Sequence, residues 1–169
     1  MSATIRLVKC TGVNAATETD LGATPGIALK SNDTAVNDPT SYPVTIPAVS
    51  SGYSYENYLR WRCTAAPDTQ CTNFKYWGPA TELKSGADIY VNTAASGAGA
   101  TPVNTASAVA TVRQDPTYYS AATALSIAGT LTGIGQQSAY LVAQLVVDSA
   151  VATQGNAVQA THNYSFDEN

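Results

Sequence analysis

One histidine, three cysteines and a thin scatter of carboxylates are the side chains through which this 169-residue chain could do chemistry. A Ser-His-acid or Cys-His relay needs a histidine held by a second group and aimed at a nucleophile. The single histidine, His162, alternates with Tyr164 and Phe166 in the manner of one strand face, so it reads as a packed ring rather than a base. Cys10, Cys63 and Cys71 form no CxxC pair, and one histidine cannot complete a Cys/His zinc set with them. Cys63 and Cys71 bracket a turn-forming segment at Pro67-Asp68, and a hairpin there would set them opposite one another. Oxidised, they would close a loop of about nine residues, contributing roughly 2.6 kcal/mol by chain entropy; reduced, they are two small buried hydrophobes. Asp33, Asn37 and Asp38 carry oxygens suited to Ca²⁺ but lack EF-hand spacing, and Asx turns account for them. No GxSxG, HExxH, P-loop or GxGxxG pattern occurs. The expectation is a chain that is not an enzyme, with no catalytic group, metal or cofactor.

Tyrosine is the informative residue type: ten Tyr stand against two Trp and two Phe. Tyrosine combines large contact area with a polar tip, which suits sheet rims and protein interfaces. Tyr53, Tyr55, Trp61, Trp77, Tyr118 and Tyr119 are the candidate interface or stacking aromatics. A sugar-binding face would use Tyr53, Tyr55, Trp61 or Trp77 as platforms, whereas core or interface packing explains the same residues.

The elements that would position these groups read as strands. Ile5 and Leu7 alternate with Arg6 in a first strand. Residues 11–41 are rich in turn formers, with Ile27 to Leu29 the one short strand, and read as a surface arm or long loop. Tyr42, Val44 and Ile46 alternate, but Pro43 and Pro47 lack the donor of a central strand, which places the segment at an edge or in an extended arm. In 52–63, Leu59, Trp61 and Cys63 share a face opposite Arg60 and Arg62. Residues 73–77 form a second strand, and the two are expected to pair around a turn. Another short strand at 88–92 leads into 93–108, which has almost no large side chain and reads as a flexible, exposed loop. Val109 and Val112 resume a strand; 117–137 is irregular or strand with room for a short helix. Residues 140–147 are apolar on both faces, as in a strand between two layers, and 158–166 alternate cleanly as a last strand. Short strands separated by Gly, Pro and Asn indicate a single all-β domain over 1–169, an antiparallel β-sandwich of jelly-roll or immunoglobulin-like type with long irregular loops and an extended arm.

Composition narrows the function classes. A formal charge of −4 and a pI near 4.7 leave no basic footprint for phosphate neutralisation, so nucleic acid is not an expected partner. No apolar run approaches the ~20 residues that span a bilayer, and no membrane is expected. Residues 1–9 lack the apolar stretch of an export signal, so synthesis in a host cytoplasm without a signal peptide is expected. Charged residues make up 12% of the chain, about half the roughly 25% of ordinary domains. Such an Ala- and Thr-rich skin lowers the desolvation penalty of burying area against partners.

The stretch YENYLRWRCTAAPDTQCTNFKYWGP and the ending YLVAQLVVDSAVATQGNAVQATHNYSFDEN resemble small β-sandwich structural proteins of tailed-phage virions. The resemblance implies a non-enzymatic virion protein, first a capsid decoration or cement protein whose partners are its own copies and a major capsid protein, assembled as an oligomer. A tail or other virion protein is the close variant, and a carbohydrate-binding or adhesive module is the alternative from another class. The resemblance transfers no functional residue.

Overall fold

The structure is a computed structural model and describes residues 2–22, 26–78, 86–114, 120–149 and 161–169. Strand β1 (Thr4–Thr11) turns at Gly12 through a 3-10 turn, Val13–Ala15, into β2 (Thr17–Asp20). Strands β3 (Ser51–Tyr53), β4 (Asn57–Ala65), β5 (Cys71–Trp77) and β6 (Ala87–Ala94) follow. The rest are β7 (Val112–Gln114), β8 (Leu125–Ile127), β9 (Tyr140–Asp148) and β10 (Asn163–Glu168). No α-helix occurs among the described residues.

The strands form two antiparallel sheets packed face to face, a β-sandwich. The larger runs β2-β1-β4-β9-β6-β7, with β3 also on β9, and the smaller runs β10-β5-β8. Period-two alternation decides what each face buries. Leu7, Leu59, Trp61, Cys63, Ile89, Val91, Leu141, Ala143, Leu145 and Val147 of the large sheet meet Cys71, Phe74, Tyr76 and Ile127 of the small one in a single core. A left-handed bulge at Asn73 (φ 54) brings Cys71 and Phe74 to the same face despite their odd spacing.

The large sheet is covered on its other face as well. Val8, Cys10, Ala15, Tyr58, Tyr140 and Val142 form a second apolar cluster with Ala110, and with Ala100 and Val109 packed against it. This is why β9 is apolar on both sides: it lies between the inter-sheet core and the loop that joins β6 to β7. On one edge β9 pairs with β6 over its full length. Its opposite edge is shared by β4, through Asn57 to Leu59, and β3, through Ser51 to Tyr53. Ser54 to Glu56 are the kink between these two partners.

Four sequence expectations change. Strands β4 and β5 do not pair as a hairpin. The Pro67-Asp68 break carries the chain from one sheet to the other, because both strands own an inward apolar face and burying both requires placing them opposite. Within 11–41, Thr17–Asp20 pairs with β1 as an all-polar edge strand, so the arm starts after it. Ile27 and Leu29 form no strand; with Val44 and Ile46 they pack as extended chain on the core, completing the layer the small sheet leaves short. The contact is close at Gly52, where a Cβ would lie 2.5 Å from the Thr45 carbonyl oxygen. Finally, 93–108 is not loose: Thr93 and Ala94 belong to β6, and the remainder is bonded to the sheet beneath it. The start of the expected last strand, Val158 to Ala160, lies outside the described residues.

Candidate functional site

The sequence-derived candidates separate by burial. Trp61, expected among the interface or stacking aromatics, is 1% exposed and sits in the inter-sheet core. Its ring lies 6.2 Å from Phe74 and 5.8 Å from Tyr164, so it offers no open face. Alternation with Arg60 and Arg62 turned it inward. Tyr53, Tyr55 and Trp77 are half-buried; Tyr118 and Tyr119 lie outside the described residues. Cys63 and Cys71 are buried free thiols, as is Cys10, and burial pushes all three above the ordinary thiol value. His162 Nδ1 is 2.5 Å from the Tyr76 hydroxyl and stacks on its ring; burial lowers its pKa. No group of three or more His, Cys, Asp or Glu is placed to hold a metal among the described residues.

A charge network that the sequence did not announce covers the outer face of β1, β2 and β4. Glu18 pairs with Arg60 and, at 3.4 Å, with Arg62. Asp20 pairs with Arg62 at 3.2 Å and Arg6 at 3.6 Å, and Gln137 Nε2 donates to Glu18 at 2.8 Å. Three cations against two carboxylates leave one positive charge in excess on this face. Alternation put Arg60 and Arg62 outside; the acids come from β2, whose polar TETD sequence has no apolar period to reveal it.

Beside this network lies a cleft of about 370 Å³ lined by Asn14, Arg60, Ala95 to Ala98, Ser138 and Tyr140. The Arg60 guanidinium lies over the Tyr140 ring, 4.8 Å from its centroid. One wall is strained backbone: Asn14 (φ 61) and Ala15 (φ 50) are left-handed, a conformation that costs non-glycine residues about 1 kcal/mol or more each. Asn14 Oδ1 accepts from Gly99 N at 2.8 Å. At Gly97 a Cβ would lie 2.7 Å from the Asn14 carbonyl oxygen, so the two loops meet closely only because this residue is glycine.

Two buried polar groups hold the 95–111 loop on the sheet. Gln144, 1% exposed in the middle of β9, donates through Nε2 to Ser54 O at 2.9 Å, Thr105 O at 2.7 Å and Val103 O at 3.3 Å. Its Oε1 accepts from Ser107 N at 3.0 Å. Glu56, 3% exposed, accepts from the Ser107 hydroxyl and from Val103 N. The nearby Tyr58 phenol is pushed up to about 12, by burial first and by the Glu56 carboxylate second.

The arm is held by buried cations. Lys30, 1% exposed, donates to Thr34 Oγ1 at 2.6 Å and to Val36 O, and lies 5.3 Å from the Tyr42 ring centroid. Lys9 Nζ, on β1, reaches Thr34 O at 2.8 Å. Asp33 Oδ2 accepts from Gly12 N at 2.7 Å, while its Oδ1 and the Oδ1 of Asn57 are buried without a hydrogen-bond partner. The sequence signals were polar residues set inside apolar or aromatic runs: Lys9 in RLVKC, Glu56 in YSYENY and Gln144 in LVAQLVV.

No protein-family model, no curated protein and no solved structure matches the chain.

Proposed function

We propose that this protein is a structural component of a phage particle, a capsid decoration or cement protein that reinforces a shell through many repeated subunit contacts. What supports the reading is where the cations go. Arg6, Arg60, Arg62 and Arg113 are paired with Glu18, Asp20 and Asp88, and Lys9 and Lys30 are turned inward against the arm. Apart from Lys75 on β5, the described cations are therefore paired with acids or buried, and Val13, Val36, Val49 and Ile134 are exposed at loops. Such a skin gives up little hydration when covered, and weak contacts become durable when many copies engage a symmetric lattice at once.

The test is peptide counting by mass spectrometry on purified particles, together with sedimentation of the isolated protein. The expected result is a fixed copy number per particle and self-association or binding to assembled shells. A strictly monomeric protein, absent from purified particles and without affinity for them, refutes the proposal.

A further inference from the structure

The cleft beside the charge network has a chemical bias that the particle reading does not use: its side chains have committed their acceptors and kept their donors. Asn14 Oδ1 is taken by Gly99 N at 2.8 Å. A backbone N–H bonds only to the amide oxygen, so this contact sets the orientation of the carboxamide. Nδ2 is left without a protein acceptor among the described residues. Ser96 Oγ accepts from Ala98 N at 3.0 Å, which leaves its proton to be donated. Ser138 is satisfied in both directions, donating to Ala139 O at 2.7 Å and accepting from Trp61 N at 3.0 Å. Arg60 carries donors alone, and of its three nitrogens only Nη2 is paired with a carboxylate, that of Glu18. No carboxylate lines the cleft among the described residues, and Glu18 already serves Arg60, Arg62 and Gln137. The face is one positive charge in excess. A monoanion balances that excess, a dianion overshoots it, and an ammonium group would meet no free acceptor side chain.

We propose that this cleft is a binding site for a polyhydroxylated monocarboxylate, a sugar acid of the aldonic class. Arg60 holds the carboxylate through charge-assisted hydrogen bonds. It is fixed for that task beforehand, lying 4.8 Å from the Tyr140 ring centroid and tied to Glu18, so little side-chain freedom is lost on binding. The Asn14 amide and the Ser96 hydroxyl donate to ligand hydroxyl oxygens, and the exposed methyls of Ala95 and Ala98 line the path of the carbon chain. Size agrees: about 370 Å³ falls within the range of small-molecule sites, about 300–1,000 Å³, and is far more than a bare carboxylate fills. Gly97 keeps the floor open, since a Cβ there would lie 2.9 Å from the Tyr140 hydroxyl. The left-handed backbone of Asn14 and Ala15 places strain in the wall of the cleft, and such strain gathers at ligand sites.

The experiment is a titration of the full chain with sodium gluconate at constant ionic strength, read by backbone amide shifts in NMR. Sorbitol, which has a hydroxymethyl group in place of the carboxylate, and inorganic phosphate are titrated in parallel. The expected result is saturable shifts at residues 14, 95–99, 138 and 140, with sorbitol binding about tenfold more weakly or worse and phosphate also weaker than gluconate. Ala98→Trp, at an exposed position, fills the cleft and should abolish the shifts at an unchanged urea midpoint. Arg60→Gln should lower gluconate affinity to that of sorbitol, with Glu18 still held by Arg62 and Gln137; if this variant does not fold, Ala98→Trp carries the test. Absent or non-saturating shifts overturn the proposal, as do shifts centred elsewhere, sorbitol or phosphate binding as tightly as gluconate, or undiminished binding in either folded variant. The site is independent of the particle reading: a particle component that ignores gluconate overturns the site and leaves the function standing.

Discussion

Replacing Gln144 with leucine removes one amide from the centre of β9 at nearly constant volume. Val103 O keeps its bond from Glu56 N, so the groups stranded are Ser54 O, Thr105 O and Ser107 N. Each buried group left unpaired costs about 1–3 kcal/mol, so holding the loop in its native position would cost roughly 3–9 kcal/mol, a large share of the ~5–15 kcal/mol that stabilises an ordinary domain. The loop has an escape that a core strand lacks. Residues 101–108 can lift and give their groups to water, which limits the global loss to the free energy of docking them. Burial of Pro102, with the Glu56 bonds, puts that limit at about 3 kcal/mol, or roughly 6–12 °C in Tm for a chain of this size. Hydrogen exchange read by mass spectrometry on peptides covering 95–111, alongside urea unfolding, separates the local from the global effect. The expected outcome is exchange in 101–108 that accelerates well beyond the change in β1, β4 and β9. A uniform acceleration across all strands, or unchanged exchange in the loop, would show that Gln144 acts only as core volume and would refute the latch.

Gly52→Ala forces a methyl against the Thr45 carbonyl 2.5 Å away; the expected result is faster proteolysis in 40–50 and a loss of about 1–3 kcal/mol, since overpacking shifts backbone. Trp61→Ala opens a cavity between the sheets and is expected to cost about 3–5 kcal/mol in chemical denaturation, while a glycan array should show no binding for Trp61 to lose. His162 is held neutral by burial, so the unfolded chain binds its proton more readily. Its contribution is complete above the ordinary histidine value of about 6.5, falls as pH drops below that, and levels off under the lowered folded value. Urea midpoints at neutral and mildly acidic pH should therefore drop more for the wild type than for His162→Gln, and equal drops would contradict this.

Much of the scaffold was legible where physics writes a period. Leu59, Trp61 and Cys63 alternate with arginines, and β9 is apolar on both faces, so strand and burial followed directly from the residues. Pairing was harder. Period two says which side of a strand is inward but not which sheet it joins, and β4 and β5 parted because each needed the other's inward face opposite it. β2 was invisible because an exposed edge strand of Thr, Glu, Thr and Asp buries nothing and carries no pattern. The polar anchors were present as exceptions, Lys9, Glu56 and Gln144 inside apolar or aromatic surroundings, but their partners are backbone groups of irregular loops that composition alone assigns to solvent. Arg60 was placed on the correct face; the cleft beside it depends on left-handed residues at 14 and 15 and on the closeness allowed by Gly97, neither of which has a local signature in the sequence.

The position of β9 in the chain has a consequence for how the molecule is made. Residues 140–148 pair with β3, β4 and β6, all of which leave the ribosome earlier. Until the ninth strand emerges, the two halves of the large sheet have nothing to join them and expose hydrogen-bonding edges meant for it. Closure by such distant segments is slow, and the waiting edges invite association with neighbouring nascent chains. Yield in the cell should thus depend on how quickly translation carries the chain past Asp148, and chains released before that point should be recovered in the insoluble fraction.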